Sequence, residues 1–148
     1  MARYGEVAIG KKKYKVMKDP LIGGAALGIK GWSLQLDLRG KKINDIDEIH
    51  GLSELADLVS LDLSVNNIKE IKGLDALVNL RVLLITKNQL TEIKGFDKLT
   101  NLGILALDDN QIAEIKGLDK LVGLQELTLS KNKIEKNKPE TLIRRILR

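Results

Sequence analysis

Few side chains in this 148-residue chain are of the types that do chemistry. There is one histidine, His50, and no cysteine. Without a thiol or a second imidazole, the usual nucleophile–base pairs and zinc sites cannot be assembled. Two carboxylates, Asp37 and Asp62, hold matching positions in similar stretches. On neighbouring strands their separation would suit the acid and nucleophile of a retaining glycosidase. Such a pair needs a cavity to desolvate it, and the surrounding pattern points to an open sheet. The stretch "DDNQ" (108–111) lacks the spaced ligands of a calcium loop. The glycines of 19–31 fit neither G-x-x-x-x-G-K-[ST] nor G-x-G-x-x-G, which argues against a phosphate cradle. The expectation is a chain that is not an enzyme and carries no cofactor and no metal.

The elements that would position these side chains repeat. From residue 49 the chain reads "IHGLSELADLVSLDLSVNNIKE", "IKGLDALVNLRVLLITKNQLTE", "IKGFDKLTNLGILALDDNQIAE" and "IKGLDKLVGLQELTLSKNKIEK", four 22-residue units without a gap. A degenerate unit precedes them, with Leu36, Leu38, Ile43 and Ile46 matching Leu61, Leu63, Ile68 and Ile71 at an offset of 25. Such periodicity predicts stacked units that bury together an apolar face none can bury alone. In each unit L-x-x-L-x-L predicts a short strand, paired in parallel with the strands of the next units. Asn66, Asn88, Asn110 and Asn132 follow the strands, where a turn inside the stack buries backbone groups that need partners. An amide side chain supplies both a donor and an acceptor for them. On the opposite side "GLDALVNL" predicts a glycine turn and one short 3₁₀ or α segment. Asp75 is its expected N-cap, with Ser53, Asp97 and Asp119 at the same position.

These residues resemble the leucine-rich repeat, L-x-x-L-x-L-x-x-N-x-I/L, in its 22-residue intracellular class named for a regulatory subunit of protein phosphatase one. The match covers 49–136 and extends weakly to 33. Lys41 departs from it where the asparagine belongs, and a Tyr-containing C-terminal cap motif is absent. The resemblance implies an α/β fold: a right-handed leucine-rich-repeat solenoid with a parallel concave β-sheet and short 3₁₀/α turns on the convex side. It also implies partners bound along the concave face, phosphatases among them.

Three segments are expected: an N-terminal β-hairpin and capping segment (1–32), the repeats (33–136) and a C-terminal capping helix (137–148). In the first, Val7 and Ile9 alternate against Tyr14 and Val16 around "GKKK", with Trp32 packing at the same end. In the last, Leu142, Ile143, Ile146 and Leu147 face away from Arg144, Arg145 and Arg148. Residues 1–30 and 131–148 each hold seven Lys/Arg against two Asp/Glu, while the middle is acidic. No apolar stretch approaches the ~20 residues of a membrane span, and no signal-peptide core follows the first Met. With no cysteine, this predicts a soluble intracellular protein with no membrane partner.

The stretch "RVLLIT" (81–86) is apolar on both faces, where a half-buried strand would alternate. One face belongs to the core. The other lies in concave rows: Gln35, Ser60, Val82, Ile104, Glu126, then Asp37, Asp62, Leu84, Ala106, Thr128, then Arg39, Ser64, Thr86, Asp108, Ser130. Val82, Leu84, Ile104 and Ala106 thus form an apolar island rimmed by Asp62, Asp108, Glu126 and Thr128. That is the anatomy of a protein-binding surface. The expectation is a module that binds a partner protein there, itself a monomer unless the island pairs two copies. The alternative is attachment to nucleic acid through the basic ends, "KKKYK" and "RRILR". Few aromatics and an acidic middle argue against it. The columns Glu48, Glu70, Glu92, Glu114 and Lys72, Lys94, Lys116, and His50 beside them, are expected on a solvated face.

Overall fold

A computed structural model describes residues 5–20 and 32–135. The predicted C-terminal helix, most of segment 19–31 and the Trp32 side chain lie outside the described residues. Each L-x-x-L-x-L segment forms a strand of three residues, because alternate side chains there are aliphatic and can share one interior. These are β6 (Ser60–Asp62), β7 (Val82–Leu84), β8 (Ile104–Ala106) and β9 (Glu126–Thr128), preceded by the longer β4 (Trp32–Asp37). They pair in parallel in chain order, Leu36, Leu61, Leu83, Leu105 and Leu127 standing side by side. The first four are fully or almost fully buried. The result is a solenoid with one continuous core, its turns alike because their sequences are alike.

The convex side follows from a second period. Leu74, Leu77 and Leu80 are joined by successive backbone bonds of the i to i+3 kind, 3.0 and 3.1 Å long. In that geometry every third side chain eclipses, so all three enter the core. Phe96, Leu99 and Leu102 repeat the device, as do Leu118, Leu121 and Leu124. The chain enters this stretch through glycines in the left-handed region. Gly95 and Gly117 sit at φ 87° and 77°, and a Cβ would fall 2.2 and 2.1 Å from the carbonyl oxygens of Ile71 and Ile93. Only glycine lets successive turns approach this closely. The expected N-caps do not form: Ser53 lies within a 3₁₀ turn, and Asp75, Asp97 and Asp119 make no capping bond. These segments are too short to leave a row of free N–H groups for a side chain to serve. One cap does form, at Asp45, which accepts from the Asp47 N–H while Glu48 accepts from the Asp45 N–H.

That cap explains the 25-residue spacing. The three extra residues build a 3₁₀ turn, Ile46–Glu48, and lead into a short strand, β5 (Ile49–His50). The N-terminal hairpin, β1 (Glu6–Ile9) and β2 (Lys12–Lys15), docks there, with β1 antiparallel to β5. Val7 and Val16 enter the core. The hairpin does not continue through Met17 as a single ribbon. The chain breaks at Val16 and returns as β3 (Met17–Pro20), which joins the concave sheet antiparallel to β4. The order of that sheet is β3-β4-β6-β7-β8-β9, and that of the smaller one β2-β1-β5.

Where each strand ends, an asparagine ties two turns together. The Asn88 amide donates to Leu63 O of the preceding turn and to Ile85 O of its own, while its oxygen accepts from Ile68 N at 2.9 Å. Asn110 does the same for Ile85 O, Leu107 O and Leu90 N. Asn132 serves Leu107 O, Leu129 O and Ile112 N. At the start of the column Asn66 accepts from both Lys41 N and Ile43 N, so the unit that lacks its own asparagine is served by the next. The Lys41 ammonium is thereby free to lie over the Tyr14 ring, 5.1 Å from its centre. A second, shorter ladder runs on the convex side, where Asn79 and Asn101 each donate at 2.9 Å to the preceding turn, at Ala56 O and Val78 O. The residue before each ladder asparagine turns left-handed: Val65, Lys87, Asp109 and Lys131 lie at φ 54–57°, and Gly40 matches them in the first unit.

Two outcomes follow. Asn110→Ala leaves two buried carbonyls and the Leu90 N–H without their side-chain partner and should lower stability by about 2–4 kcal/mol in urea unfolding. Val65 is β-branched in a region that penalises such residues, and is 39% exposed. Val65→Asn should raise stability by about 0.5–1 kcal/mol in the same assay, since asparagine accepts this conformation readily.

Candidate binding surface

The register settles the concave rows. Gln35, Ser60, Val82, Ile104 and Glu126 are successive partners, as are Asp37, Asp62, Leu84, Ala106 and Thr128. Leu84, Ile104 and Ala106 are partly exposed and contiguous. Val82 differs from expectation: flanked in its row by Ser60 and Ile104, it is only 6% exposed and belongs to the floor of the surface. One residue escaped the sequence reading. Met17, paired with Gln35 through the returning strand β3, extends the first row and is 55% exposed. It lies outside the repeat, so periodicity carried no signal for it.

The polar rim is partly committed to the fold. Asp37 and Asp62 each accept from the backbone N–H two residues on, Arg39 at 2.9 Å and Ser64 at 2.8 Å. Asp108 reaches across to the next turn, accepting from Ser130 N at 2.8 Å and from the Thr128 hydroxyl. Both of its oxygens are therefore engaged, and Thr128 is held by the same bond. Ser64 does similar work with a hydroxyl, accepting from Thr86 N. Glu126 is exposed at the end of its row. Among the described residues, Asp62 keeps one oxygen without a donor and Glu126 keeps both.

The other chemistry-bearing residues are placed differently. His50 is exposed, as expected, and lies on strand β5 opposite Ala8. Asp37 and Asp62 do stand on adjacent strands. Two clefts among the described residues lie elsewhere. One of about 290 Å³ runs among Asn44, Asp45, Lys69, Glu70, Thr91, Glu92 and Lys94, and one of about 80 Å³ lies beside Val16 and Leu55. In the charged columns each lysine pairs with the glutamate two residues before it, Lys72 with Glu70, Lys94 with Glu92 and Lys116 with Glu114, at 3.1–4.0 Å and with wide exposure. Lys72 adds Asp45 at 2.8 Å and Asp47 at 3.2 Å, which joins the irregular first turn to the next. The hydrogen bond from Lys72, then that from the Asp47 N–H, holds the Asp45 carboxyl below the usual carboxylate range. Asp45 and then Asp47 raise the Lys72 ammonium above its ordinary value. No group of acidic or histidine side chains among the described residues has the arrangement of a metal site.

The family model for the leucine-rich repeat matches residues 30–145. The chain belongs to the leucine-rich repeat family. No curated protein matches it. Among solved structures, it is similar to internalin C2 of Listeria monocytogenes, with 33% identity, a TM-score of 0.63 and 79% of this chain covered. It spans 49% of that chain, about half its length. It is also similar to a chain of the Drosophila melanogaster SNF/U2A' complex, with 30% identity, a TM-score of 0.56, and coverage of 72% of this chain and 62% of that one. The BIR2 ectodomain of Arabidopsis thaliana shares the fold, at 21% identity, a TM-score of 0.55, and coverage of 73% and 71%. No helix among the described residues of this leucine-rich repeat chain is long and apolar enough to cross a membrane.

The Lys72 cluster sets a pH dependence. A carboxyl lowered in the folded state adds stability above its unfolded value and loses that gain as pH falls through the folded one. Urea midpoints of wild type and Lys72→Met should therefore differ at pH 6 and converge toward roughly pH 2, as Asp45 takes up its proton. A constant gap would assign the effect to lost packing of the lysine stem.

Proposed function

We propose that the chain is a non-enzymatic interaction module, which binds a partner protein on its concave sheet and acts in an intracellular compartment. The hairpin segment (1–32) and the C-terminal segment (137–148) serve as end covers, and 33–136 carries the working surface. One observation carries this reading. Leu84, Ile104 and Ala106 sit side by side and partly exposed at the centre of a sheet whose remaining outward positions are mostly polar. Aliphatic side chains gathered at the centre of such a surface, with Asp62, Asp108, Glu126 and Thr128 around them, give the dry core and wet rim of a docking site. Val82 supports the island from below. The similarity to a chain solved within the SNF/U2A' complex supports the same class of role. The lack of cysteine supports an intracellular setting.

Leu84→Arg/Ile104→Arg tests the reading, once circular dichroism shows the variant folded. Proteins retained from a lysate by the wild-type chain should be lost at least about 10-fold by the variant, since each arginine places a charge where the partner offers apolar surface. Equal capture by both, abolished by about 0.5 M salt, would move the working surface to the basic ends.

A further inference from the structure

The order of groups along the concave sheet describes the partner. This step rests on the concave-face reading above and adds to it what the partner must look like. From β4 to β9 the outward groups run Asp37, Asp62, then Leu84, then Ile104 and Ala106, then Glu126. Carboxylates lie at both ends of the apolar island. Asp62 and Leu84 occupy one row, Ile104 and Glu126 the other, so the path through the four crosses the sheet diagonally. It covers three strand spacings and one two-residue step along a strand. With strands about 4.8 Å apart and about 3.3 Å per residue, the ends stand about 16 Å apart on a line tilted by about 25°.

A helix fits that line. At about 1.5 Å per residue, positions i, i+4, i+7 and i+11 share one face and span about 16.5 Å. With i over Asp62, i+4 falls over Leu84, i+7 between Ile104 and Ala106, and i+11 over Glu126. An extended segment repeats its face only every 6–7 Å or so and would present about three side chains over the same distance. Charge fixes the end positions. Asp62 has one oxygen left after serving Ser64 N, and neither it nor Glu126 joins an ion pair among the described residues. Asp108, with both oxygens engaged, lies off the line in the third row. A further cation at i−4 would reach Asp37.

We infer that the partner docks an amphipathic helix bearing a basic–apolar–apolar–basic stripe at i, i+4, i+7 and i+11. The spacing reads the same in both directions, so either helix orientation satisfies it.

Two synthetic helical peptides of identical composition in an alanine–glutamine host test this against the full chain by fluorescence anisotropy. One carries Lys at i and i+11 and Leu at i+4 and i+7, and the other exchanges the two residue types. The first should bind at least about 10-fold more tightly, through two charge-complementary ends and a central apolar contact. Glu126→Lys should weaken it at least about 5-fold, and a peptide with Glu in place of one Lys should restore the loss. Equal binding of the two peptides, no binding of either, or failure of the charge exchange overturns the helix stripe. Equal binding lost in Leu84→Arg/Ile104→Arg overturns the stripe alone. Equal binding kept in that variant overturns the concave-face reading as well.

Discussion

A backbone turn enclosed between two others has no water to satisfy it, and each unpaired N–H or C=O costs free energy comparable to a lost hydrogen bond. Everything else in this solenoid depends on how that constraint is met. One asparagine per turn meets it by holding its own strand end and the one before, so no turn is complete without its neighbour. The spacing of the turns is then set by amide geometry as well as by leucine packing. That is why the concave rows run in register through all four regular units.

The ladder also dictates what can vary. Among the described residues the buried apolar core is aliphatic apart from Phe96, and the close approach of turns demands glycine at Gly95 and Gly117. Outward positions of the strands carry no such demand, which leaves them free to specify a surface. Even there the fold takes a share: Asp37, Asp62 and Asp108 each spend an oxygen on a backbone N–H at the strand ends. The groups left for a partner are fewer than the composition suggests, and they are ordered along the axis.

Repetition made much of this legible. Because the units align without a gap, the concave rows and the asparagine column were readable from spacing alone, down to which residues pair across strands. Features that occur once were not. The return of Met17 to the concave sheet depends on a chain reversal at Val16 that no period announces. The burial of Val82 depends on its flanking neighbours rather than on its own type. The missing caps at Asp75, Asp97 and Asp119 reflect segments shorter than the helical turn their sequence suggested. The three extra residues of the first unit showed in the sequence only as an offset of 25, yet they build the 3₁₀ turn that leads into the strand on which the hairpin docks.

If shared asparagines make the stack one cooperative body, the amides they hold should share one fate. Native-state hydrogen exchange of Ile68, Leu90 and Ile112, each bound to the asparagine of the following turn, measures this directly. The account predicts that all three exchange only with global unfolding, at a common free energy and with a common denaturant dependence. Protection that instead falls away turn by turn, each amide with its own opening free energy, would show that the ladder does not bind the turns together.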